Sequence, residues 1–150
     1  MPKVYGQRCP VAKTLEVVGD RWTLLVVRDL LGRTRRFQDL QASLPGIAPN
    51  ILSDRLKLME EHALVTRRFY SDHPPRAEYE LTDKGKELGV VVGALAAWGA
   101  RHVYKRARLV HANSGQDVRL GYFRADTGRR VPGGTVRVTR GRTGIQRRRG

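Results

Sequence analysis

The chain has 150 residues and a formal net charge of +15, from 29 Lys/Arg against 14 Asp/Glu. That length fits one domain with a tail and a core that needs no staples, and the single cysteine, Cys9, excludes an intrachain disulfide and fits a reducing cytoplasm. No stretch approaches the roughly 20 apolar residues of a membrane helix, and Met1–Gln7 lacks the apolar core of an export signal, so the charge calls for a polyanion, nucleic acid before a membrane surface.

Pro10 suits the first position of a helix, where its missing N–H costs nothing. Val11, Leu15 and Val18 recur at helical spacing, which predicts a helix over 10–18 that stops at Gly19. Asp20 is placed to cap a second helix, 21–31, whose sequence RWTLLVVRDLL is apolar on most faces and should lie in the core. Residues 34–36 read as a short strand, and Phe37, Leu40 and Leu44 as a third helix, 37–44. Pro45-Gly46 then breaks the chain.

A fourth helix, 49–61, starts on Pro49. Leu52, Leu56 and Met59 form its apolar side, and Asn50, Ser53, Asp54 and Lys57 its polar side. VTRRFY and AEYEL read as strands around the turn SDHPPR, so 65–81 is a hairpin with a basic tip. Thr82 caps a long helix predicted over 83–103. Leu88, Val91, Leu95, Trp98 and His102 lie along one stripe of it, with Val92 beside them and Gly99 among several small residues. Glycine inside a helix costs roughly 0.5–1 kcal/mol, which either a close partner helix or packing within the chain must offset.

After residue 103 the helical period is lost. Residues 104–150 hold 13 of the Lys/Arg and 2 of the Asp/Glu, which divides the chain into a nearly balanced domain, 1–103, and a basic Gly-rich extension, 104–150. Short strands are expected within 109–123 and 134–141, separated by 126–134, with 141–150 irregular. No internal repeat of fixed period is evident in the sequence.

Three helices followed by a hairpin is the order of a winged helix-turn-helix. The fold expected is mainly α with a small β-hairpin wing, of the α+β kind. The major groove, about 12 Å wide, admits one helix that is apolar behind and polar in front. Pro49, Asn50, Ser53, Asp54, Arg55 and Lys57 meet that need, with Asn50 suited to an adenine edge and Arg55 and Lys57 to phosphates. Arg67, Arg68, His73 and Arg76 surround the wing tip at Pro74-Pro75, where a rigid basic loop can enter a minor groove. The competing reading of the same residues is a solvated helix face and a charged hairpin.

Several segments together resemble HxlR-type winged-helix regulators: CPVAKTLEVVGDRW at 9–22, RRFQDL at 35–40, LPGIAPNILSDRLKLME at 44–60 and YELTDKG at 79–85. The resemblance spans about 9–103. It implies a homodimeric transcription factor, usually a repressor and sometimes an activator, acting on double-stranded DNA, with the first and last helices at the dimer interface. Leu88, Val91, Val92, Leu95, Trp98 and Gly99 would then face the partner. Cys9 matches a position that redox-sensing members use, and the helix start with Arg8 and Lys13 nearby favours its thiolate. Cys9 is therefore a candidate sensor; the alternative is an inert small residue beside the interface.

Two departures stand out. Ala48 replaces the usual Ser or Thr before Pro49, and a lost cap oxygen costs about 1 kcal/mol. Residues 109–138 are similar to a cysteine-paired extension found in some members, but Ser114 and RADTG carry no thiol, so no metal is expected.

None of His62, His73, His102 and His111 has a metal spacing, and no nucleophile elbow, phosphate loop or zinc-protease motif is present. The sequence therefore predicts no enzyme and no cofactor. A small-molecule effector held between the dimer helix and the core stays open. The remaining alternative is a non-specific nucleic-acid binder driven by the basic tail, for which few exposed aromatics are available for base stacking.

Overall fold

Residues 4–139 are described by the computed structural model, and its first helices begin where proline and aspartate set them. Helix α1 spans Pro10–Val18 and closes with the Gly19 N–H donating to the Leu15 carbonyl at 2.9 Å. The Asp20 carboxylate accepts from the Trp22 and Thr23 amides at 2.9 and 3.2 Å and from the Thr23 hydroxyl. These bonds hold residues 21–22 in a turn, so α2 runs Thr23–Leu30, shorter at its start than the predicted 21–31. Strand β1 is Arg35–Arg36 and α3 is Phe37–Ser43.

Helix α4 covers Pro49–Glu61, as the spacing of its leucines predicts. Its end carries no glycine signal. Ala63 takes the left-handed conformation (φ 55°), the Leu64 N–H donates to the Met59 carbonyl at 2.8 Å, and the Ala63 N–H to that of Glu60 at 2.9 Å. This is the closure usually built around glycine.

Strands β2 (Val65–Asp72) and β3 (Pro75–Leu81) form the hairpin, longer than the sequence predicts, with His73-Pro74 alone in the turn. The sheet is antiparallel, in the order β1-β3-β2, so β3 lies between the other two strands. The expected single helix 83–103 is two helices, α5 (Asp83–Lys86) and α6 (Gly89–His102). Thr82 caps α5 through the Gly85 amide at 3.0 Å and donates to the Ala63 carbonyl at 2.6 Å. Lys84 Nζ donates to the His62 carbonyl at 2.7 Å. The first turn is thus fixed to the corner after α4, and the Leu88 amide turns back to the Gly85 carbonyl at 3.1 Å before α6 starts.

The core joins Val26, Val27 and Leu30 of α2, Leu40 and Leu44 around α3, Leu52, Leu56 and Met59 of α4, and Val65, Tyr79 and Leu81 of the sheet. The chain forms two compact units, Met1–Val118 and Arg119–Gly150.

The extension contains a repeat that the letters of the sequence hide. In one hairpin Val110 bridges Asp117, His111 N–H donates to the Gln116 carbonyl (2.8 Å), and Gly115 N–H to that of His111 (2.8 Å). In the other, Phe123 pairs with Arg130, Arg124 N–H donates to the Arg129 carbonyl (2.9 Å), and Gly128 N–H to that of Arg124 (2.8 Å). Gly115 and Gly128 both have positive φ, 69° and 66°. Ser114 Oγ and Thr127 Oγ1 accept the amides of Gln116 and Arg129 at 3.4 and 3.3 Å. Every correspondence is offset by 13 residues. The paired strands of the second hairpin, β4 (Tyr122–Phe123) and β5 (Arg130–Val131), place β5 inside the segment expected to separate strands. The strand expected at 134–141 is instead a short 3-10 turn, Gly133–Thr135, followed by irregular chain to 139. The predicted irregular end, 141–150, lies outside the described residues.

A Cβ added at Gly85 would collide with the Leu64 carbonyl oxygen. Gly85→Ala should therefore destabilise the chain by about 1–3 kcal/mol in urea unfolding, although alanine is favoured over glycine by about 1 kcal/mol inside a helix. Unchanged or increased stability would show that the corner after α4 is not this close.

Candidate nucleic-acid interface

The face that α4 turns inward is fully buried, with Leu52, Leu56 and Met59 no more than 1% exposed. Because these residues recur every three to four positions, the opposite side must face solvent. Pro49, Asn50, Ser53, Asp54 and Lys57 are all exposed there. No side chain caps the helix at Ala48, and Pro49 carries no N–H. The first-turn amides of a helix end left this way are available to a phosphate.

Arg55 stands apart from this group. It is half-buried, and its Nε lies 3.7 Å from Asp20 Oδ2 without a hydrogen-bond partner. Asp20 therefore organises the start of α2 and pairs with α4 at once.

Helix α3 and the following turn set the angle at which α4 is presented. Leu44 and Ile47 are buried on either side of Pro45-Gly46, and Gly46 supplies the positive φ (88°) the turn requires. Ser43 Oγ donates to Asp29 Oδ2 at 2.5 Å, fastening α3 to α2. Burial pushes the Asp29 carboxyl up, but hydrogen bonds from Arg28 and Ser43 outweigh it and hold the group below its ordinary value.

At the wing, strand register decides which arginines meet which acids. Arg36 of β1 and Arg68 of β2 both lie opposite Glu78 of β3. Their nitrogens approach its carboxylate at 4.0 and 3.1 Å. Arg67 pairs with Glu60 at the end of α4 (3.7 Å). Two guanidinium groups also cover aromatic rings: Arg67 over Phe69 at 5.1 Å and Arg36 over Tyr70 at 4.6 Å. Arg76 and His73 are exposed and, among the described residues, take part in none of these ion pairs. Sequence reasoning missed Arg36; nothing short of the β1–β3 register brings it to the wing.

Cys9 is half-buried at the position before α1, and its side chain makes no capping bond. One of the two cations expected beside it is engaged elsewhere, since Lys13 Nζ binds Glu16 at 3.0 Å. Glu16 also accepts the Tyr5 N–H at 3.0 Å. The Lys13 bond first, and then that of Tyr5, hold the Glu16 carboxyl below its ordinary value.

The last helix divides the predicted stripe in two. Leu88 and Val92 pack against the core of their own chain, and Val91 is half-buried. Leu95 and Trp98 are 55% and 61% exposed, and a Cβ at Gly99 would meet nothing within 4 Å. Val11 and Leu15 of α1 are exposed as well. Packing within the chain therefore accounts for the first stretch of the smooth helix, and the second stretch is left open to solvent.

Residues 17–107 match the family described as HxlR-like helix-turn-helix. The chain is similar to YvaP of Bacillus subtilis strain 168, an uncharacterized HTH-type transcriptional regulator, at 36% identity over 65% of this chain and 92% of that one. It is similar in structure to PA1374, a candidate transcription factor of Pseudomonas aeruginosa, with 40% identity and a TM-score of 0.68 across 92% of this chain and 96% of that one. A third likeness is to the redox regulator HypR in its reduced form, at 30% identity and a TM-score of 0.60, covering 66% of this chain and 100% of that one. Among the described residues no helix is long and apolar enough to cross a membrane.

Proposed function

Because the chain belongs to the HxlR-like helix-turn-helix family, we propose that this DNA-binding transcription regulator acts as a homodimeric, sequence-specific repressor. The observation that carries the proposal is the exposed polar face of α4, behind which Leu52, Leu56 and Met59 are buried. Asn50 and Ser53 read base edges, Lys57 and the open helix start hold phosphates, and Asp54 rejects sites whose phosphates crowd it. Arg76 and His73 lead the wing toward the flanking groove, with Arg67 and Arg68 behind them. Arg55 supports α4 through Asp20 more than it touches DNA. Two copies place two α4 helices in successive major grooves, about 34 Å apart. The promoter is blocked while the dimer is bound, and the basic extension adds salt-dependent affinity for any duplex.

Asn50 and Lys57 separate these roles. Asn50→Ala should relax the preference at one base pair by about 1–3 kcal/mol. Lys57→Ala should weaken all duplexes alike and flatten the salt dependence by about one phosphate contact. Binding of operator and random DNA across a salt series measures both, and equal behaviour of the two variants would contradict the assignment.

The partner subunit covers Leu95, Trp98 and Gly99 of α6 together with the exposed side of α1. Leu88 and Val92 hold α6 to its own chain and are not central to that contact. Trp98→Glu is expected to give monomers in sedimentation while the melting temperature of the isolated chain holds. A variant that stays dimeric would move the interface elsewhere.

The likeness to HypR supports a redox role for Cys9 at the foot of α1, next to that interface. Diamide should release the protein from DNA, and Cys9→Ser should abolish the release. Identical release from both proteins would remove Cys9 from the mechanism.

A further inference from the structure

The two hairpins of the extension share one backbone and differ in what they display. Where the first carries Leu109 and Val110, the second carries Tyr122 and Phe123. Where the first carries His111, Gln116 and Asp117, the second carries Arg124, Arg129 and Arg130. The first hairpin makes the same turn, the same glycine geometry and the same hydroxyl bond without any of these aromatics or arginines. The fold of such a hairpin therefore does not require them, and a ligand gives a reason for a surface that is aromatic and cationic together.

The rings are placed to be used. Tyr122 and Phe123 are 55% and 63% exposed. Each has a glycine beside it: a Cβ at Gly133 would lie 3.5 Å from Tyr122, and one at Gly121 would lie 3.7 Å from Phe123. Among the described residues the arginines that cover rings do so at Trp22, Phe69 and Tyr70, and not at Tyr122 or Phe123. Asp126, the acid of this hairpin, is bound by Arg124 Nε at 3.0 Å, which leaves Arg129 and Arg130 for an outside anion. Open aromatic faces set among arginines are how proteins hold unpaired bases, the rings stacking on bases and the cations tracking phosphates. An apolar protein partner would not need the added positive charge, and an intact duplex offers no base face to stack upon.

We propose that the hairpin around Tyr122, Phe123, Arg129 and Arg130 is a second nucleic-acid site, which binds single-stranded nucleic acid by stacking. It is separate from the duplex-reading face of α4 and extends the role of the extension beyond non-specific charge. The test uses the full chain and fluorescein-labelled dT20, rU20 and a 20-base-pair duplex, followed by anisotropy. Tyr122→Leu/Phe123→Val installs the residues of the first hairpin, which that backbone already accommodates. It should weaken dT20 or rU20 binding by at least about tenfold, change duplex binding less than twofold, and leave the salt slope for single strands intact. Arg129→Gln/Arg130→Gln should instead flatten that slope by about 0.7 per arginine. The dT20 and rU20 arms tell whether DNA or RNA is preferred. Unaltered single-strand binding by the aromatic variant, or an equal loss on duplex, overturns the proposal. Neither result would bear on α4, which Asn50→Ala tests on duplex alone.

Discussion

The proposed duplex-reading face of this chain depends on the burial of one side of α4. Leu52, Leu56 and Met59 share one core with Val26, Val27 and Leu30 of α2 and the buried end of the sheet. Fully burying side chains of this size is worth about 1.5–3 kcal/mol each, a large share of the stability of a domain this small. A helix so anchored cannot roll, because a turn of one residue would carry a leucine into water. Its polar residues therefore stay outward without contacts of their own. The side proposed to read DNA is defined by the side that does not.

Electrostatics adds orientation to this packing. Asp20 ties the start of α2 to Arg55, and Ser43 with Asp29 ties α3 to α2. Exposed ion pairs are individually worth little, so the value of the wing pairs lies in geometry. A single carboxylate, Glu78, holds two arginines from two flanking strands near one point, and Glu60 joins the wing to the end of α4. The wing and the recognition helix are thus linked through side chains as well as through chain connectivity. A cation held in place by a weak exposed pair exchanges its carboxylate for a phosphate at small cost.

Much of this is legible in the sequence where local chemistry and tertiary packing agree. Pro10 and Pro49 mark helix starts, and the spacing of Leu52, Leu56 and Met59 gives both the length and the inward side of α4. It is less legible where a long-range contact decides. Ala63 ends α4 in a conformation normally signalled by glycine, so the corner has no letter of its own. The break between α5 and α6 comes from Thr82 and Lys84 bonding back to the carbonyls of residues 62–63, partners some twenty positions away that periodicity does not contain. Arg55 reads as a phosphate ligand by type, but its position at the edge of the buried side turns it to Asp20. The hairpin repeat is hidden in the sequence because its copies share turn geometry and a glycine while their other side chains differ.

The most direct test of the account is chemical protection of DNA by the bound protein. Two copies of α4 seated in successive major grooves should shield guanine N7 from dimethyl sulfate in two patches about 10 base pairs apart, with the minor-groove adenine N3 between them left reactive. Protection confined to the minor groove, or spread evenly along the duplex, would mean that the polar side of α4 does not enter DNA.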